Sequence, residues 1–67
     1  MSEMTYHQWR QQLELAFVDV RAAEDGCGHA DWLAGPPQHV VDRLSVAMNH
    51  LRRAHAAAAK RAGEANL

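Results

Sequence analysis

Residues 24–39, EDGCGHADWLAGPPQH, hold three of the four glycines and both prolines of a 67-residue chain. Glycine and proline are the strongest local breakers of regular structure. Everything before and after this stretch is free of internal proline and patterned at helical spacing. The chain therefore has room for two long helices joined by one reversal. The fold expected is all-α, a two-helix antiparallel hairpin spanning residues 1–67 as one domain. Its first helix covers about residues 5–24, its loop 25–35 and its second helix 36–61.

A chain this short buries a modest fraction of its surface. Scaffolds of this size lean on disulfides, metals or oligomerisation. Cys27 is the sole cysteine, so no intramolecular disulfide can form. A free thiol fits a reducing, cytoplasmic setting. The opening MSEMTYHQW lacks a basic and then apolar pattern, so no signal peptide is expected. No apolar run reaches the roughly 18 residues of a membrane span, so no membrane association is expected.

In the first helix, Ser2 or Thr5 can cap the start, and Gly26 suits a left-handed terminating residue. At about 100° per residue, Tyr6, Trp9, Leu13, Ala16, Phe17 and Val20 fall on one face. They are the expected core side. Leu15, Val18 and Ala22 form a second apolar set on nearly the opposite face. Between them run a strip of Arg10, Glu14 and Arg21 and a strip of Gln8, Gln12 and Asp19. A helix with one partner needs one apolar face, so the second set points to another chain.

The second helix is expected to start at Pro36 or Pro37, because a first-turn proline forfeits only an unpaired N–H. Val40, Leu44, Ala47, Leu51, Ala54 and Ala58 recur at alternating spacings of four and three, a heptad seam. Val41, Met48 and His55 widen it. The alanines at 56–59 favour helix but bury little, which again favours a second copy. Leu15, Val18, Ala22, Leu44 and Leu51 are the expected oligomer contacts, and the terminal AGEANL is expected to fray.

Cys27, His29, Asp31 and His39 carry metal-ligating chemistry, but no paired C-x-x-C or H-x-x-x-H spacing exists. A structural turn is the better reading, with Asp31 capping a short helical turn and Trp32 and Leu33 plugging the open end of the pair. No metal or other cofactor is expected. Catalysis by Cys27 with His29 or His39 would need a cleft and an orienting group, and no phosphate loop or hydrolase motif is present. The chain is not expected to be an enzyme.

Seven basic against eight acidic residues give a formal charge of −1, which disfavours a general nucleic-acid binder. Acid lies mostly before residue 43. Arg43, Arg52, Arg53, Lys60 and Arg61 lie from there on.

The segment RLSVAMNHLRRAHAAAAKRA, residues 43–62, resembles the second helix of a phage family of small helical anti-CBASS proteins. Ser45, Ala47, Leu51, Ala54 and Lys60 match the family pattern, after a proline-containing loop. The family's paired glutamates are Arg52 and Arg53 here, and its tryptophan has no counterpart. The resemblance implies a small oligomeric helical protein of phage origin that titrates a host component or sequesters a cyclic nucleotide.

Three functions are therefore weighed. The first is a non-enzymatic interaction protein that assembles with itself and inhibits or regulates a larger host protein. Tyr6, Trp9, Arg10, Arg52 and Arg53 are its expected anchors, since aromatic and arginine side chains dominate binding energy. The second is a sponge in which Arg43, Arg52, Arg53 and Lys60 hold a small phosphate ligand by bidentate donation. The third is a nucleic-acid accessory protein using the basic face of the second helix.

Overall fold

The computed structural model of the chain describes residues 3–65. In chain order it holds α1 (Tyr6–Asp25), α2 (His29–Ala34) and α3 (Gln38–Ala65). Among the described residues there is no strand, and the fold is all-α. Among the described residues, no helix is long and apolar enough to cross a membrane.

Thr5 is the cap of α1. Its hydroxyl accepts from Gln8 N at 3.1 Å, and Gln8 Oε1 accepts from Thr5 N at 2.9 Å. This reciprocal box satisfies two otherwise orphaned donors. Ser2, the other expected cap, lies outside the described residues, as do residues 66 and 67 of the tail expected to fray. Ala62, Gly63, Glu64 and Ala65 belong to α3, whose alanine-rich last turns propagate past Arg61.

Two loop expectations are corrected. Gly26 ends α1 in the right-handed region, at φ −84°, so it is not a left-handed cap. It serves close approach instead, because a Cβ there would lie 2.9 Å from His39 Nε2. Gly35 takes the left-handed role, with φ 107°. The prolines sit just before α3 rather than in it. A residue preceding proline is pushed out of the helical region, which excludes Pro36, and the Pro37 carbonyl accepts from Val40 N at 3.0 Å as the chain enters α3.

α1 and α3 pack together. Trp9 meets Ala54, Gln12 meets His50 and Asp19 meets Arg43, so the two helices run in opposite directions. The particle measures 51 × 18 × 18 Å. Its buried apolar residues are Ala16, Ala23, Val40, Ala47 and Ala54. Four of these five are alanine, and small side chains let helix backbones approach closely. At about 0.8 kcal/mol per buried CH₂, such a row contributes little.

The expected core face of α1 is thus rotated. Tyr6 and Phe17 are each 71% exposed, and the contact runs instead along Trp9, Gln12, Ala16, Asp19 and Ala23. Rolling α1 toward Phe17 would separate Asp19 from Arg43 and the Trp9 indole from the Ala54 carbonyl. α2 does not plug the pair either, since Trp32 and Leu33 are 67% and 73% exposed. Its six residues leave too short a tether to fold both side chains back onto the α1–α3 seam.

Candidate interaction surfaces

The alanine row has two borders of opposite character. On α1, Gln12 and Asp19 flank Ala16 and Ala23 on one side, while Leu13 and Val20 flank them on the other. On α3, Arg43 and His50 flank Val40, Ala47 and Ala54 on one side, while Leu44 and Leu51 flank them on the other. Each helix therefore carries two overlapping heptad seams that share a row of small residues.

The polar border is closed within the chain. Arg43 Nη1 donates to Asp19 Oδ1 at 3.1 Å, and Asp19 is the one buried charged residue among those described. His50 Nε2 stands 3.9 Å from Asp19 Oδ2. Its Nδ1 lies 2.6 Å from Gln12 Oε1. An amide oxygen only accepts, so with that oxygen facing the ring, Nδ1 is the donor. Among the described residues, no buried side-chain polar atom lacks a partner. At one end of the seam, Trp9 Nε1 donates to Ala54 O at 3.1 Å.

The apolar border is open. Val20, Leu44 and Leu51 remain 38%, 42% and 45% exposed, and beyond them Phe17, Val41 and Met48 are exposed as well. One hollow of about 390 Å³ joins Val20, Cys27, Trp32, Val40, Val41 and Leu44. Its lining places the open edges of α1 and α3 on the same side of the molecule. Val46, three residues from Arg43 and four from His50, follows the polar border, as Leu15 and Ala22 follow Asp19.

The expected oligomer residues are consequently split. Leu44 and Leu51 lie on the apolar side, whereas Leu15, Val18 and Ala22 lie along the polar one. The expected anchors are split too. Tyr6 and Trp9 pack with their ring centroids 5.9 Å apart and their planes tilted by 32°, but the indole N–H of Trp9 is already used. They line a hollow of about 370 Å³ with Met4, Thr5, Ala57 and Arg61. Arg10 lies on the back of α1, 3.8 Å from Glu14. Arg52 is exposed and donates to Asn49 Oδ1 at 3.3 Å, and Arg53 is exposed.

The structure does not gather the basic residues. Arg43 is taken by Asp19, while Lys60 Nζ and Arg61 Nη1 each stand 3.3 Å from a Glu3 oxygen. The hydrogen bond from Lys60 holds the Glu3 carboxyl below its ordinary value. In the loop, Asp31 Oδ2 accepts from Gly28 N at 2.9 Å, so the carboxylate caps α2 from inside its first turn. Among the described residues, no group of three or more His, Cys, Asp or Glu is placed to hold a metal ion.

Sequence reasoning missed the polar border because Gln12 and Asp19 read as a polar strip between two apolar faces and Arg43 as one of the basic residues of the second helix. Their signal was present: Trp9, Gln12, Ala16, Asp19, Ala23 and Gly26 recur at spacings of three and four, in phase with small residues. No protein-family model, curated protein or solved structure matches the chain.

Proposed function

We propose that this chain is a small non-enzymatic interaction protein of the cytoplasm. Its two long helices, α1 and α3, form an antiparallel hairpin joined through the short α2; the hairpin assembles with a second copy, and the assembly binds and inhibits or regulates a larger host protein. A phage origin as a host-defence antagonist follows only from the resemblance of residues 43–62. The observation that carries the reading is the open apolar border, where Phe17 is 71% and Trp32 67% exposed on one small particle. Contiguous apolar surface on a soluble domain marks a contact site. Hydrophobic burial inside the chain is correspondingly thin.

A second reading, a sponge for a cyclic nucleotide or other phosphate ligand, draws on the hollow beside Tyr6, Trp9 and Arg61. An aromatic pair next to a guanidinium suits a base and a phosphate. Against it, Glu3 already holds both Lys60 and Arg61 and brings negative charge to that end.

The test is to purify the chain, measure its mass in solution, identify a co-purifying host protein, and reconstitute the complex from pure components. Arg52→Ala with Arg53→Ala is expected to keep helicity and mass but to weaken capture about thirtyfold or more, as truncating a desolvated arginine anchor does. Unchanged capture would move the contact to Tyr6, Trp9 and Arg10. A bound nucleotide in place of a protein would establish the second reading.

A further inference from the structure

Resting on the self-association just proposed, we infer that the second copy sits on the border formed by Leu13, Phe17, Val20, Leu44, Met48 and Leu51. Each α1 then lies against α3 of the other copy, and both loops point to the same end.

The choice of side follows from what each border would lose. On the Leu15 and Val18 side lie Asp19, Arg43 and His50, already bonded to one another. The Arg43 side chain is 55% exposed there, and a second copy would strip water from that charge, which is costly without a new partner. The opposite side offers leucine, valine, methionine and phenylalanine between the two helices, with charge at its edges in Glu14, Arg21, Glu24 and Arg52. Its size suffices as well. The whole face, the molecule's 18 Å width over the roughly 30 Å of a 20-residue helix, presents about 500 Å² in flat projection. Side-chain relief raises the accessible area toward the roughly 800 Å² per partner of a standard interface.

Charge then selects the orientation. Beyond the Asp19–Arg43 pair, which lies on the other border, α1 carries Arg10 and Arg21 against Glu14, Glu24 and Asp25. α3 then carries four basic residues, Arg52, Arg53, Lys60 and Arg61, against Asp42 and Glu64. A two-fold axis parallel to the helices sets each acidic α1 opposite a basic α3. An axis across the helices would set α1 on α1 and α3 on α3, pairing helices of like net charge. Complementary potential fixes register and suppresses wrong pairings. The parallel axis also makes every neighbouring helix antiparallel and gathers both copies of Cys27 and Trp32 at one end.

Cys27 is the only cysteine and lines the apolar hollow, so a nitroxide on it reads the arrangement by pulsed electron spin resonance. The expected spin–spin distance is under about 20 Å, because both labels share an end. The crossed arrangement would place them about 30 Å apart or more, since Cys27 lies some ten residues of 1.5 Å rise beyond the strip's centre in each copy. The same distance measured on Asp25→Cys with Cys27→Ser removes any disturbance by a label inside the interface. In parallel, Phe17→Glu with Leu44→Glu should halve the mass, while Leu15→Glu with Val18→Glu should keep the dimer. A monomeric wild type would overturn the self-association itself. A dimer with the long distance, or one broken only by the Leu15 and Val18 pair, would overturn this placement and leave self-association standing.

Discussion

Asp19 and Arg43, 24 residues apart, form a one-sided ion pair across the α1–α3 seam: the carboxylate side chain is 10% exposed and the guanidinium 55%. The asymmetry decides which half of the pair matters to folding. Losing Asp19 releases a cation that turns into water. Losing Arg43 leaves a buried anion with only His50 nearby. Arg43→Ala is therefore expected to cost about 1–3 kcal/mol, and Asp19→Ala less than about 1 kcal/mol. The double alanine variant should be more stable than Arg43→Ala alone. Urea midpoints of the three variants at one protein concentration check this. Strict additivity would show that the pair is uncoupled.

The two loop glycines should respond differently to the same change. Gly35 has φ 107°, and a Cβ there would meet nothing within 4 Å, so Gly35→Ala meets backbone strain alone, typically about 1–3 kcal/mol. Gly26 has an ordinary φ, and Gly26→Ala displaces the tip of an exposed His39 side chain. Its cost should be below about 1 kcal/mol, partly offset by reduced unfolded-chain entropy. Thermal midpoints in the order wild type, Gly26→Ala, Gly35→Ala are expected. The reverse order would return the strained position to Gly26.

What the sequence made legible was the row, and what it hid was the border. Val40, Ala47 and Ala54 belong to the seam read from spacing, and all three are buried. Leu44 and Leu51 share that seam because hydropathy favoured them over Arg43 and His50. Within a single chain the polar border won, since its four side chains satisfy one another only across this contact. Apolar side chains carry no such obligation, and the leucines are left half-exposed. The α1 expectation erred for the same reason: Phe17 and Tyr6 outweighed Gln12 and Asp19 on any apolar scale. Thr5 was legible because capping is local. Gly26 was misread because its constraint comes from His39, far along the chain.

Acid should loosen the N-terminal end first. The Lys60 hydrogen bond lowers the Glu3 carboxyl from its ordinary 4.5. A depressed carboxylate stabilises the fold above its unfolded value, and that contribution disappears as pH falls through the lower folded value. Glu3→Gln should therefore match wild type in stability below the carboxylate range and trail it slightly above about pH 5. Because Lys60 and Arg61 are both exposed, about 0.5 M salt should erase the difference, as screening contracts to a few ångströms. A gap that persists in salt would mean that Glu3 acts through packing.

Chelation should leave the fold unchanged. Cys27 Sγ is engaged only weakly, 3.8 Å from the Gly28 carbonyl, and Asp31 spends an oxygen on the Gly28 N–H. Thermal unfolding with and without a chelator is expected to coincide. A large loss of stability would reassign Cys27, His29 and His39 as ligands.

The two tryptophans separate what holds the helix pair from what the pair offers to others. Trp9 is half-buried, and its N–H reaches the Ala54 carbonyl at 3.1 Å; Trp32 is 67% exposed and makes no such bond. Trp9→Phe retains most of the ring's burial but deletes the donor, at a cost of about 1 kcal/mol. The carbonyl it leaves behind still accepts within α3, which keeps the loss near that value rather than higher. Trp32→Phe should leave the stability of an isolated chain within about 0.5 kcal/mol, as exposed substitutions do. In the Trp9→Phe background, Trp32 fluorescence then reports the loop end alone. Acrylamide should quench it freely in dilute, monomeric samples and poorly in concentrated ones, because the second copy covers that end. Concentration-independent quenching would leave Trp32 outside any self-contact. Equal destabilisation by both substitutions would refute the anchoring role of the Trp9 indole.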